Sequence, residues 1–127
     1  RAGEIFGSIT EGRYDRIMIP SEGGEILAFA GTGSVPTSEL SRGTQEQLYL
    51  ALRIALVEQM DEVGEGLPVL MDDVFANFDP GRHVGAARAV AELARHRQVV
   101  FFTCHPEVAE LLATTDPGHI SLELDRC

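Results

Sequence analysis

From about Thr44 the apolar positions fall into helical register. Leu48, Ala51, Leu52, Ala55 and Leu56 form one stripe. Thr44 and Gln47 have capping-box spacing at its start, and Gly64 and Gly66 stop the pattern near Val63. The run Val69–Val74 is continuously apolar up to and around an acidic pair, as expected of a strand buried on both faces. Asp79–Pro80 reads as an N-cap followed by proline at the first helical position, opening a helix to about His96. Val99–Thr103 is a second buried strand, Pro106 starts a short helix to Leu112, and Asp116–Pro117–Gly118 is a turn. Ile120–Leu124 alternates like a last edge strand. Upstream, residues 1–12 read as the tail of a helix loosened by Gly3, Gly7 and Gly12. Arg13–Ile19 and Glu25–Ala30 form a β-hairpin around Pro20–Gly24, and Gly31–Ser38 is a loop.

The unit 69–103 is strand, helix, strand, which makes the two strands parallel with a right-handed crossover. Ligands in open α/β sheets bind beyond the carboxyl ends of the strands. Asp72 and Asp73 lie near the end of the first strand and His105 just past the second, so the topology brings all three toward one rim.

The size of 127 residues fits one domain, and 44% hydrophobic with 24% charged residues is ordinary for a globular chain. A net charge of −10 and a pI near 4.7 make this chain a poor DNA-binding surface by itself. Arg95, His96 and Arg97 are its nearest approach to a basic patch, more in keeping with a solvated helix end. Nucleic acid remains open as a partner of a larger parent. Cys104, expected at a buried strand end, and Cys127 make no disulfide framework, and free thiols suit a reducing cytoplasm. No apolar run is long enough for a membrane span, and no signal peptide is visible. All ten Lys+Arg residues are arginine, so no phosphate loop of the GxxxxGK[ST] kind is present. That lack and a first residue other than methionine point to a piece of a longer nucleotide-handling protein.

Three motifs carry candidate chemistry. A strand ending in Asp72–Asp73 suits magnesium, which takes oxygen ligands and keeps several waters. Successive strand residues point to opposite faces, so the two carboxylates should differ in role. The plain alternative is a solvated strand end, against which stand the four apolar residues before the pair and the NFDP after it. The segment LSRGT at 40–44 opens a helix, whose free N–H groups make a phosphate site. There Ser41 adds a hydroxyl and Gly43 allows close approach; taken alone, an ordinary helix entry explains it as well. His105 suits hydrogen bonding near neutral pH, and alone it reads equally as a capping or packing residue. Cys104–His105 as a thiol nucleophile is disfavoured because strand neighbours point apart. A metal site from Asp72, Asp73 and His105 lacks tight ligand spacing.

Together and in this order, with a helix between each pair, the motifs resemble the C-terminal lobe of ABC-type ATPase heads of the SMC, RecF and RecN class. The nearest flavour is that of YhaN-like proteins, with coiled coils inserted between two half-heads. LSRGTQEQLYLALRIAL looks like the signature motif and its helix, VLMDD like Walker B, ANFD like the D-loop, and His105 like the switch histidine, over roughly residues 38–112. The resemblance implies an α/β fold, the C-terminal half of a P-loop NTPase, with parallel strands flanked by helices and an N-terminal β-hairpin. It also implies ATP and Mg2+ as cofactors. Asp72 would hold magnesium, Asp73 would position or deprotonate the attacking water, and His105 would contact the γ-phosphate. Ser41 and Gly43 would contact the γ-phosphate of nucleotide held by the opposite head, Arg42 would pair with phosphate or cap the dimer rim, and Asn77 and Asp79 would couple the two sites.

The implied partners are an N-terminal Walker A lobe of the same head and a second head in an ATP-dependent dimer, in a cytoplasmic protein of DNA repair or chromosome maintenance. Two motifs depart from the pattern: in one Asp73 stands where glutamate is usual, and in the signature Arg42 and Thr44 replace glycine and Gln/Glu. Lacking the phosphate loop, the adenine contacts and the Q-loop, the chain alone should neither bind ATP tightly nor turn it over. Two other readings compete, a non-catalytic dimerisation or regulatory module and a metal-dependent phosphohydrolase or nuclease. The latter leaves LSRGT and NFD unexplained.

Overall fold

In the computed structural model, residues 1–61, 64 and 66–125 are described. Helix α1 (Ala2–Ile9) leads into three antiparallel strands, β1 (Arg16–Met18), β2 (Leu27–Ala30) and β3 (Gly33–Pro36). Helix α2 (Arg42–Asp61) follows, then β4 (Val69–Asp72), α3 (Pro80–Ala94), β5 (Val99–Phe102) and α4 (Pro106–Thr115). Strands β4 and β5 pair in parallel, Val69 opposite Val99 through Asp72 opposite Phe102. The mixed α/β class, the parallel pair with its helices and the N-terminal hairpin are as expected. No described helix is long and apolar enough to cross a membrane.

The core forms where α1, α2 and α3 meet. Ile5, Phe6 and Ile9 of α1, Leu48, Ala51 and Ile54 of α2, and Ala86, Ala87, Val90 and Leu93 of α3 are all buried. Phe6 stacks on Tyr14 with ring centroids 5.3 Å apart, tying the hairpin to this core. Gly85 is the crossing point of α1 and α3. A Cβ there would stand 2.6 Å from the Ser8 carbonyl oxygen and 2.9 Å from the Ile9 Cα, so only glycine lets the backbones approach this closely.

Several expectations are corrected. Gly31–Ser38 is not all loop. Gly31, at φ +60°, and Thr32 form a two-residue turn that returns the chain as β3, with Ala30 opposite Gly33 and Ala28 opposite Val35. Turn residues and strand residues lie side by side there, and the glycines masked the strand. Helix α2 starts two residues before Thr44, because Ser41 is the cap: its Oγ accepts from the Thr44 N–H at 3.3 Å. Its buried face runs through Thr44, Gln47, Leu48, Ala51 and Ile54, while Leu56 is exposed. Of that helix's expected span, Glu62 and Val63 lie outside the described residues, as does Cys127.

Strand β4 is buried on one face only. Met71 is buried but Leu70 is 71% exposed, and on β5 Phe102, opposite Asp72, is 44% exposed. Two strands flanked by the helices of this chain leave the other face uncovered. Ile120–Leu124 is not a strand, since it pairs with neither sheet and leaves Ile120, Leu122 and Leu124 exposed. Its alternation has no ladder to join. Cys104 is exposed, not buried, because β5 ends two residues before it.

Candidate functional site

The parallel pair ends in a tight arrangement of side chains. Strand β4 stops at Asp72, and Asp73 turns into the left-handed region at φ +48°. Aspartate tolerates this region better than most side chains. The Asp73 N–H still donates to the Phe102 carbonyl at 2.8 Å, so the ladder carries one rung past the strand and holds the residue against β5. The following residue pair anchors the turn from below. Phe75 is fully buried, 5.0 Å from the Phe101 ring and 5.4 Å from the Phe78 ring, centroid to centroid.

The Asp73 carboxylate is the hub. Its Oδ1 accepts from the Thr103 hydroxyl at 3.0 Å. Its Oδ2 lies 3.3 Å from His105 Nε2 and 3.8 Å from the Cys104 thiol. The Thr103 hydroxyl oxygen in turn accepts from the His105 N–H at 3.1 Å, which fixes the 103–105 turn. On the far side of the ring, His105 Nδ1 is 3.6 Å from Glu107 Oε1. Asp73 and His105, which the topology carries toward one rim, are thus in contact. Cys104 also converges on it, contrary to the expectation that it would point away, because residues 103–105 have left the strand and no longer alternate. Asp72 stays outside this cluster. It is exposed, and among the described residues its carboxylate has no side-chain partner.

Thr103 and Cys104 were missed as site residues. The signal for Thr103 was its position two residues before His105, the spacing at which a hydroxyl accepts a backbone N–H in a turn.

A second cluster joins the helix-opening segment to the loop after β4. The Asn77 amide donates to both Glu46 carboxylate oxygens at 2.9 Å, and Arg42 Nε donates to Glu46 Oε1 at 3.2 Å. A Cβ on Gly43 would stand 2.6 Å from the Asn77 carbonyl oxygen, so what approaches this glycine is the chain's own backbone. Ser41 is exposed, its hydroxyl 2.8 Å from that of Thr44. Asp79 is the N-cap of α3 with Pro80 at N1, as expected, but its side chain makes no capping bond and faces solvent. Five of the candidate residues thus fall into two groups, Asp73 with His105 and Arg42–Gly43 with Asn77, while Asp72, Ser41 and Asp79 stand outside both.

No family model matches the chain. Its fold is that of a solved chain from work on the structural biochemistry of ATP-driven dimerization and DNA-stimulated activation of SMC ATPases. That match has a TM-score of 0.71 over 98% of this chain and 74% of the other, at 20% sequence identity. In sequence the chain is similar to the uncharacterized protein YhaN of Bacillus subtilis (strain 168), 35% identical over 122 residues. The match takes in 94% of this chain but spans only 12% of YhaN's length.

Proposed function

We propose that this chain is the C-terminal lobe of an SMC-like ATPase head, completed by an N-terminal Walker A lobe and paired with a second head around ATP. The observation that carries the reading is the contact between Asp73 and His105 beyond the carboxyl ends of two parallel strands, where α/β sheets bind ligands. The SMC-type fold and the likeness to YhaN support it. Work in DNA repair or chromosome maintenance, in the cytoplasm, belongs to the same proposal and would fall to the whole parent.

The residues present fit nucleotide and magnesium. Asp72 offers an exposed carboxylate free of side-chain partners, suited to a hydrated Mg2+. The capped start of α2 presents N–H groups suited to phosphate. When bound, the magnesium nucleotide supplies the phosphoryl group and the charge that neutralises it. The chain's own work is positioning, which dominates phosphoryl transfer. Asp73 accepts from Thr103 and stands 3.3 Å from His105 Nε2, and so keeps the histidine ring beside the strand ends. Its Oδ2 is the atom able to orient a water and take its proton. The Glu46 bridge from Arg42 to Asn77 keeps the α2 start and the loop after β4 moving as one piece, as communication between two composite sites requires.

The test is Asp73→Asn in the assembled head. Nucleotide binding should persist while turnover drops by about 10²–10⁴, the usual worth of a positioned general base. Unchanged turnover would remove Asp73 from catalysis.

A further inference from the structure

Three potential metal ligands of different chemistry converge at the strand ends: the Asp73 carboxylate, the Cys104 thiol and the His105 imidazole, all within 4.8 Å of one another. We propose that they form a site for a thiophilic divalent cation of the zinc type, with three protein ligands and an open fourth position. Its occupancy withdraws Asp73 and His105 from nucleotide chemistry.

The geometry is already close. Zinc bonds of about 2.3 Å to sulfur and about 2.0–2.1 Å to nitrogen or oxygen, at tetrahedral angles, place ligand atoms about 3.3–3.6 Å apart. Asp73 Oδ2 stands 3.3 Å from His105 Nε2 and 3.8 Å from Cys104 Sγ. Small side-chain rotations complete the site. The thiol hydrogen pointing at Asp73 leaves as a proton when the cation takes its place, and His105 binds as neutral imidazole through Nε2. Glu107 at 3.6 Å from Nδ1 supplies the carboxylate behind the histidine that commonly orients a zinc ligand. Cys104 is exposed, which gives the ion a path in. Thiolate and imidazole select zinc over magnesium, so the magnesium role of Asp72 is chemically separate.

Binding of the cation stands on the three side chains alone, whereas the inhibitory consequence rests on the ATPase reading. Cobalt(II) is the probe, titrated into the reduced full chain. The expected result is one equivalent bound, the intense visible bands of a tetrahedral site, and a thiolate-to-cobalt charge-transfer band that zinc bleaches. Cys104→Ser should lose that band and weaken zinc binding by at least about tenfold, since even outer-shell partners of a metal site are worth that much. Cys127→Ser should keep both. No band, a pale octahedral spectrum, or a band surviving in Cys104→Ser would overturn the site. The second readout is ATP turnover by the assembled head. Zinc should suppress the wild type, while Cys104→Ser, each measured against its own zinc-free rate, resists. Equal sensitivity overturns the inhibitory role. A head that hydrolyses no ATP sinks the ATPase reading and that role with it, and leaves the cobalt result standing.

Discussion

Gly85→Ala sets two physical effects against each other. Glycine inside a helix costs about 0.5–1 kcal/mol relative to alanine, so propensity alone makes the substitution stabilising. The structure reverses the sign. The new Cβ would sit 2.6 Å from the Ser8 carbonyl oxygen and 2.9 Å from the Ile9 Cα, and both are backbone atoms of α1 that no rotamer change can move aside. Relief requires α1 and α3 to separate, which loosens Phe6, Ile9, Ala86 and Val90 together. Overpacking of this kind costs about 1–3 kcal/mol. Subtracting the propensity gain leaves a net loss of about 0.5–2 kcal/mol. In urea, with a slope of about 2 kcal/mol per molar, the midpoint falls by about 0.3–1 M. Gly81→Ala is the control on the same helix, because a Cβ there meets nothing within 4 Å; its midpoint should stay level or rise. A Gly85→Ala midpoint at or above wild type would refute the close crossing of α1 and α3.

Phe75→Ala empties the fully buried position beneath the strand ends and should cost about 3–5 kcal/mol by urea denaturation; a loss under 1 kcal/mol would contradict its placement. Leu70→Asp changes an exposed position, so the stability of the chain alone should move by no more than about 0.5 kcal/mol. The same variant should fail to assemble with the Walker A lobe in co-purification, and normal assembly would show that this face stays uncovered. Glu58 is held below its ordinary pKa chiefly by the hydrogen bond from Arg1, whose own pKa is raised by the same contact. A depressed carboxylate stabilises above the unfolded pKa of about 4.3 and loses its contribution as pH falls through the lower folded value. The pair is partly exposed, so Glu58→Gln should cost no more than about 1 kcal/mol at neutral pH, with the two proteins converging in stability as pH falls from the unfolded pKa through the lowered folded one. A difference that stays constant through acid unfolding would exclude the ion pair as the cause.

Elements whose signal is local were legible. The Asp79–Pro80 helix start, the strand–helix–strand unit and the turn at Asp116–Gly118 each depend on a few adjacent residues, and each stands where those residues put it. Expectations that depended on a covering partner went astray. The run from Val69 to Val74 reads as buried on both faces, yet this chain supplies cover for one. Ile120–Leu124 alternates as a strand does, but alternation describes a surface and not the ladder it joins. In α2 the stripe that the pattern predicts lies a fraction of a turn away from the buried face. The polar Thr44 and Gln47 are buried there, Gln47 by accepting from Arg82 at 3.2 Å, and a hydrophobicity pattern ignores buried polar residues.

The candidate site divides along the same line. Asp73 and His105 were legible because topology alone carries strand ends to one rim. How they meet was not, because it depends on one backbone angle. Had Asp73 continued the strand, Asp72 and Asp73 would simply have pointed to opposite faces. At φ +48° the chain turns, and the carboxylate swings across to β5 while its N–H keeps the Phe102 rung. That turn separates Asp72, left in solvent, from Asp73, drawn under the Thr103 hydroxyl, the Cys104 thiol and the His105 ring. The two adjacent aspartates therefore acquire different chemistry from one left-handed residue, with no difference in side chain. The same swing puts a thiol and an imidazole around one oxygen, so on the proposed readings the carboxylate that would act on water is also the one that would hold a soft cation.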